Sequence, residues 1–187
     1  MSIKNLDPQV VWNNFYELTQ IPRPSKHEEL AVEYMYNWGK EHGLETIKDE
    51  VGNIIIRKPA TPGCENMKGV VLQGHVDMVP QKNADTVHDF LKDPIQTWID
   101  GEWVKAKGTT LGADNGLGLA MAMAVLESND IKHGPIELLC TIDDKRTQHQ
   151  FDVPVFCQFN DFAELFCAAR DPADLGSDNR VACFNSR

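Results

Sequence analysis

Apolar residues recur at helical spacing near the start of the chain. Between residues 10 and 18 they repeat every three or four positions, which is typical of a helix with one buried face. Asp7 and Pro8 precede this segment as an N-cap and a first helical residue, and the proline at position 22 follows it. The pattern predicts a first helix that begins at Pro8.

The same spacing returns between residues 30 and 38. Ser25 and Glu28 stand ahead of it in the order of a capping box, in which the two side chains bond the first free backbone N–H groups. Gly43 follows the segment, and a glycine commonly ends a helix. A second helix is therefore predicted between Ser25 and Gly43.

Short segments with strand character come next. Residues 45–49 and 53–57 predict a hairpin, because a glycine beside an asparagine between them suits a tight turn. Residues 69–73 and 136–141 are continuous apolar runs, as in the strands of a parallel sheet. Small and apolar residues from 114 to 126 predict a further helix. This alternation favours an α/β fold built in layers.

Two stretches break the alternation. Residues 82–100 are polar and aperiodic and predict a long loop, after which a strand starts at Gly101. Residues 144–187 are rich in phenylalanine and cysteine without a helical or strand period, so local and global preferences disagree there. We expect one domain over residues 1–143 and a divergent, poorly ordered tail over 144–187, as a shifted reading frame would produce. A genuine terminal subdomain is the alternative.

The composition excludes several classes of protein. The 187 residues are 42% apolar and 25% charged, as in an ordinary globular domain. A net charge of −10 repels nucleic acid and favours cations as partners. No long apolar run or signal peptide is present, so we expect a cytoplasmic protein without a membrane partner. The five cysteines lack the spacing of zinc or redox motifs and are expected to be reduced thiols.

The first candidate site follows the predicted strand 69–73, where residues 74–79 read Gly-His-Val-Asp-Met-Val. Side chains at the carboxyl end of a buried strand are held firmly and face a crevice. His75 and Asp77 are two residues apart in an extended segment, so both point the same way. A neutral imidazole binds zinc, and a carboxylate on its other nitrogen fixes the tautomer. On its own, a histidine here is more often an ordinary polar loop residue.

The second candidate is Asp114, within the glycine-rich segment 108–118 where the chain enters a predicted helix. No Gly-Lys-Ser/Thr ending follows the glycines, which argues against a phosphate loop. Taken alone, Asp114 is best interpreted as the N-cap of that helix. Taken with His75, it provides a second suitable zinc ligand, and a carboxylate that bridges is how two cations are held together.

Together the two motifs resemble the signature segments of the aminoacyl-histidine dipeptidases, a family of co-catalytic zinc exopeptidases. The similar segments are Gly-His-Val-Asp-Met-Val-Pro-Gln-Lys around His75, Thr-Thr-Leu-Gly-Ala-Asp-Asn-Gly around Asp114, and Ile-Pro-Arg-Pro-Ser-Lys-His-Glu-Glu over residues 21–29. The resemblance covers roughly residues 5 to 143. It implies an α/β, zinc-exopeptidase-like layered catalytic domain with helices packed on a central mixed sheet, incomplete here. Residues 1–143 would be the N-terminal part of that domain.

The resemblance also implies roles for single residues. His75 would ligate one zinc ion, Asp114 would bridge two, and Asp77 would be a catalytic-site carboxylate that steadies His75. The implied reaction is hydrolysis of a small dipeptide such as β-alanyl-histidine by a zinc-activated water. Manganese or cobalt would suit the same ligands, and a homodimer stays open.

The sequence departs from the family after residues 136–141. The family continues Asp-Glu-Glu-Thr-Gly, with a general base and then a zinc ligand, whereas Asp144 and Lys145 stand at these two positions here. Aspartate is one methylene shorter than glutamate, and an ammonium group has no lone pair and repels a dication. We therefore expect weak or absent zinc and a truncated, inactive chain with Asp144 as a poor base. A non-catalytic metal- or partner-binding remnant and a related tripeptidase or deacylase are alternatives.

Overall fold

Helices and strands alternate along the chain, as the apolar pattern predicts. The structure is a computed structural model that describes residues 2–142, 156–158 and 181–182. After a short 3₁₀ helix at Ile3–Asn5, the helices are α1 (Gln9–Gln20), α2 (Glu29–Glu41) and α3 (Ala113–Glu127). The strands are β1 (Glu45–Lys48), β2 (Ile54–Lys58), β3 (Val70–His75), β4 (Thr97–Asp100), β5 (Trp103–Ala106), β6 (Ile136–Thr141), β7 (Phe156–Gln158) and β8 (Val181–Ala182).

A mixed sheet with the strand order β1-β2-β6-β3-β7 forms the centre of the fold. Strand β2 pairs antiparallel with β1 and β6, whereas β3 runs parallel to β6 and β7. The register of β3 and β6 runs from Val70 opposite Ile136 to His75 opposite Thr141, so the two strands end at the same edge. A smaller antiparallel sheet has the order β4-β5-β8. The predicted α/β fold with a central mixed sheet is confirmed.

Helices α2 and α3 cover the same face of the central sheet. A Cβ atom added at Gly39 of α2 would meet Ile56 of β2, and one added at Gly74 of β3 would meet Leu119 of α3. Ile56 is aligned through β6 with Leu72, two residues before Gly74, so these contacts lie on one face. This layer buries large apolar side chains, each worth roughly 1.5–3 kcal/mol on transfer from water. Fully buried members include Phe15, Met35, Ile54, Leu119, Met123 and Leu138.

Some predicted boundaries are wrong by a few residues. Helix α1 begins at Gln9, and its N-cap is Pro8, whose backbone is extended; Asp7 provides no side-chain cap. Residues 97–100 of the predicted loop form β4, which pairs with β5. Gly101 lies in the turn between these strands with a φ of 60°, so the next strand starts later, at Trp103.

Other expectations concern the chain as a whole. In the part of the chain that the structure describes, no helix is long and apolar enough to cross a membrane. Of the five cysteines predicted to be reduced thiols, Cys64 and Cys140 are free, and the side chains of Cys157, Cys167 and Cys183 lie outside the described part of the chain. The predicted boundary between residues 1–143 and 144–187 stays a prediction.

Candidate metal centre

The candidate site lies at the edge of the sheet where β3 and β6 end together. His75 is the last residue of β3 and pairs with Thr141, the last residue of β6. The backbone N–H of Val76 then donates to the carbonyl of Thr141 at 2.8 Å, which holds the chain to β6 just beyond His75. Asp114 reaches the same place from the start of α3. The structure therefore brings the two predicted loops together.

His75 lies between two carboxylates. Its Nδ1 is 2.9 Å from Oδ1 of Asp77, and its Nε2 is 3.0 Å from Oδ1 of Asp114. The side chains of His75 and Asp77 are 17% and 10% exposed, whereas that of Asp114 is 75% exposed. The three residues predicted from the sequence thus form one cluster, with Asp114 on its solvent side.

Ser25 binds the second oxygen of Asp77 and was missed as a site residue. Its hydroxyl donates to Oδ2 of Asp77 at 2.5 Å. The predicted capping box is wrong, because the N-cap of α2 is Glu28 and the Glu28 carboxylate accepts from the backbone N–H of Lys26 instead. With both oxygens bonded, the Asp77 carboxylate is held in a fixed orientation toward His75.

Asp114 does not cap α3, so its interpretation as a capping residue is wrong. Its backbone has φ −86° and ψ 110°, outside the helical region, and the peptide bond that follows it is cis. Gly112 occupies the N-cap position with a φ of 71°, and no side chain caps the helix there. The carboxylate of Asp114 lies beside His75 instead.

The two carboxylates favour the protonated form of His75. Burial opposes protonation, but the hydrogen bonds and charges of Asp114 and Asp77 outweigh it and raise the pKa of His75 to about 10. Burial also works to raise the pKa of Asp77, yet hydrogen bonds from His75 and Ser25 hold that pKa below its ordinary value. The pKa of Asp114 is lowered chiefly by its hydrogen bond with His75. A metal ion would therefore compete with a proton for Nε2 of His75.

The donor set fits part of a zinc site. Two ligands of one tetrahedral zinc ion lie about 3.3 Å apart when each is about 2.0–2.1 Å from the metal. The 3.0 Å between His75 Nε2 and Asp114 Oδ1 is close to that separation. Among the described residues, no group of three or more His, Cys, Asp or Glu side chains is placed to hold a metal ion. Asp144, predicted as the base, and Lys145 lie outside the described residues.

No family model matches the chain, but several known proteins are similar to it in sequence or in structure. The cytosol non-specific dipeptidase of Escherichia coli K12 is 59% identical over 143 residues, which are 76% of this chain and 30% of the relative. The crystal structure of aminoacylhistidine dipeptidase from Vibrio alginolyticus matches with a TM-score of 0.80 at 52% identity, over 84% of this chain and 34% of that one. Aminopeptidase PepT from Bacillus cereus matches with a TM-score of 0.59 at 26% identity, over 73% and 37%.

The mixed-sheet α/β fold and these matches place the chain among proteins similar to peptidases. At 59% and 52% identity, the aligned residues match part of two dipeptidases, one named a cytosol non-specific dipeptidase and the other an aminoacylhistidine dipeptidase. The resemblance drawn from the motifs is confirmed. The chain spans about a third of the length of these relatives.

Proposed function

We propose that His75 and Asp114 are ligands of a dipeptidase-type zinc site and that Asp77 orients His75. The observation that carries the proposal is the position of the imidazole, with Nδ1 bonded to Asp77 and Nε2 beside Asp114. A neutral imidazole that donates its Nδ1–H to a carboxylate presents the lone pair of Nε2 to a cation. Two zinc ions with Asp114 between them are expected in the whole enzyme, and manganese or cobalt would suit the same donors.

The proposed reaction of the whole enzyme is hydrolysis of dipeptides of the Xaa-His type, such as β-alanyl-histidine. Zinc, when bound, supplies Lewis acidity, which activates water and polarises a peptide carbonyl. His75 and Asp114 would hold the ion, Asp77 would keep the imidazole in the correct tautomer, and Asp144 would stand at the position of the base. We place the protein in the cytoplasm, because the Escherichia coli relative is named a cytosol enzyme.

For the 187-residue chain by itself, we propose weak zinc binding and no turnover. The two ligands that the described residues offer are one fewer than a catalytic zinc ion usually has. Lys145 adds a positive charge at the position where the family has a ligand, and charge repulsion disfavours a dication there. The chain therefore represents part of a dipeptidase site rather than a working catalyst.

The proposal is tested by assaying the purified chain for hydrolysis of β-alanyl-histidine and measuring its zinc content by mass spectrometry. We expect no hydrolysis, and residual zinc binding that disappears in His75→Ala. The variant His133→Ala is the control, since the ring of His133 bonds the carbonyl of Gly134, and its backbone bonds Thr61, before the start of β6 and away from His75. Turnover with two tightly held zinc ions would overturn the expected inactivity. Zinc binding that survives in His75→Ala would overturn the site.

The role of Lys145 is tested by the substitution Lys145→Glu. We expect zinc to bind about tenfold more tightly or better, because a carboxylate replaces a repelling ammonium group. Lys132→Glu makes the same charge change at an exposed position before the start of β6, at the other end of that strand from His75. Equal gains in the two variants would show a general charge effect. Reading the coding DNA near codon 144 separately tests the frameshift, which requires a one-base shift to restore Glu-Glu-Thr-Gly.

A further inference from the structure

A short segment after α1 runs beside the His75 loop. The carbonyl of Arg23 accepts from the backbone N–H of Met78 at 2.9 Å, and the backbone N–H of Ser25 donates to the carbonyl of Met78 at 3.0 Å. Pro24 and Met78 form a parallel bridge between these bonds. The segment 23–25, which we term the strap, is therefore fixed to the chain that carries Asp77.

The side chain of Arg23 extends from the strap into the interior, where it is 1% exposed. Its Nη1 donates to the carbonyls of Val76 at 2.9 Å and Asp77 at 3.2 Å, and its Nη2 donates to the carbonyl of Gly112 at 2.6 Å. Its Nε donates to the carbonyl of Leu18 at 3.4 Å. One planar group therefore joins the end of α1, the segment after β3 and the segment before Asp114.

Two glycines make room for the guanidinium. A Cβ atom at Gly112 would lie 2.6 Å from Nη2 of Arg23 and 2.8 Å from the sulfur of Met78. A Cβ atom at Gly116 would lie 2.5 Å from the same Nη2. Real Cβ atoms do not approach this closely, so both positions admit only glycine while Arg23 keeps its place. The glycine-rich segment is thus shaped around an arginine that lies about ninety residues earlier in the chain.

Every described hydrogen bond of Arg23 ends on a backbone carbonyl, and none ends on a carboxylate. Burying a charged group without a directly bonded counterion is costly, and burial lowers the pKa of Arg23 to about 10 against the opposing charges of Asp77 and Asp114. A fixed fork of donors that matches several carbonyls at once is a property of arginine and not of lysine.

From these observations we infer that Arg23 is a positioning residue for the candidate metal centre. It sets the separation between the loop with His75 and Asp77 and the loop with Asp114, so that His75 Nε2 and Asp114 Oδ1 can share one cation. The inference rests on the proposed function, since it assigns a task to a site whose metal binding is itself proposed.

The test compares Arg23→Lys with the unsubstituted 187-residue chain in two measurements. Zinc affinity is measured by competition with a chelating dye, and amide hydrogen exchange is measured without metal. Arg23→Lys keeps the charge but loses the fork, so we expect zinc to bind about 10–100-fold more weakly, as when other supports of metal ligands are removed. We also expect faster exchange at residues 76–78 and 112–116, with no change in β1 and β2, which lie at the far side of the sheet.

A second pair of variants keeps the test decisive if Arg23→Lys folds poorly. Gly112→Ala forces the arginine away, and Gly43→Ala is its matched control, because Gly43 has a φ of 69° against 71° for Gly112 and no atom within 4 Å of an added Cβ. Both variants carry the same backbone strain, but only Gly112→Ala should weaken zinc binding and loosen residues 76–78.

Several outcomes would overturn the inference. If the inference holds, Arg23→Lys must change zinc affinity and amide exchange, and Gly112→Ala must differ in effect from Gly43→Ala. Either contrary result would show that Arg23 does not set the separation between the two loops. Faster exchange throughout β1 and β2 as well would show a general role in stability. If the unsubstituted chain binds no zinc through His75, the proposed function fails, while the exchange measurements still decide whether Arg23 holds the two loops together.

Discussion

Two aspartates in loops of this protein differ in where their partners come from. Asp49, in the turn between β1 and β2, accepts hydrogen bonds from three backbone N–H groups and one side-chain amide, all within four residues. Asp77, beyond β3, accepts from Ser25, which lies 52 residues away. Its other oxygen bonds His75, whose ring reaches Asp114 across 39 residues. The described hydrogen bonds of Asp49 are therefore local, whereas those of Asp77 and His75 connect distant parts of the chain.

This difference separates a turn from a candidate site. The described bonds of Asp49 form when residues 49–53 adopt one turn, so the carboxylate stabilises the hairpin. The bonds of Asp77 form only when the strap, β3 and the start of α3 have come together. They also leave an imidazole nitrogen facing the exposed carboxylate of Asp114, where a cation can enter. An aspartate held by distant partners beside an accessible second donor is thus the better indicator of function.

The largest expected contrast is in zinc affinity. Asp77→Asn should weaken zinc binding by about 10–100-fold, because the amide no longer fixes the tautomer and basicity of His75. Asp49→Asn makes the same chemical change and should leave zinc affinity within about twofold, since Asn also suits the turn. The measurement is a zinc titration of both variants. Equal losses would remove the distinction between the two regions.

The two regions should also respond differently to pH, because only the candidate site contains a histidine whose pKa is raised. The pKa of His75 is raised from 6.5 to about 10, so the stability it contributes is full below about pH 6.5 and is lost as the pH rises toward 10. Burial works to raise the pKa of Asp49, but hydrogen bonds led by that from Asn53 lower it overall, so its contribution is lost as the pH falls below its ordinary value. Both statements refer to the metal-free chain.

Urea unfolding of the metal-free chain between pH 3 and pH 10 measures these contributions. His75→Gln should flatten the alkaline loss, on the order of 1–2 kcal/mol, and should also reduce the acid loss, because His75 helps to lower the pKa of Asp77 and of Asp114. Asp49→Asn should reduce the acid loss alone. An alkaline loss of unchanged size in His75→Gln would mean that the ring does not carry its proton between the two carboxylates.

A smaller effect is expected when Asp49 is removed altogether. Asp49→Ala leaves three backbone N–H groups of the turn without their acceptor, although water can reach this half-buried position. By analogy with the loss of a helix cap, we expect a loss of about 1 kcal/mol in the free energy of unfolding, measured in urea. Zinc affinity should stay unchanged. The exposed neighbour Glu50 provides the control variant Glu50→Ala, for which no loss is expected.

Local signals account for how well the fold was predicted. Strand β6 matches its predicted residues 136–141 because a continuous apolar run is visible without knowledge of its neighbours. The hairpin of β1 and β2 and the end of α2 near Gly43 follow from glycine and asparagine at turns. Strand β4 was missed because its four residues are too few to show a period.

The site was only partly predictable, because several of its contacts join residues that lie far apart in the sequence. His75, Asp77 and Asp114 stand in recognisable motifs, and the structure brings them together, but their roles stay predictions. Arg23 and Ser25 act through residues about fifty positions away, which no local pattern encodes. The capping-box spacing of Ser25 correctly indicated that a helix starts nearby, since α2 begins at Glu29. The Ser25 hydroxyl nevertheless donates to Asp77 and does not cap the helix.

The smallest expected effect is that of Ser25 itself, and it tests whether the tertiary arrangement is needed as a whole. Ser25→Ala removes one bond to Oδ2 of Asp77, while Oδ1 still holds His75. Zinc binding should therefore weaken by less than tenfold, well short of the loss in Asp77→Asn, because the imidazole keeps its direct partner. Ser25→Thr, which retains the hydroxyl, should restore the affinity. A loss in Ser25→Ala as large as in Asp77→Asn would mean that the orientation of Asp77, and not its charge beside His75, controls the metal ligand.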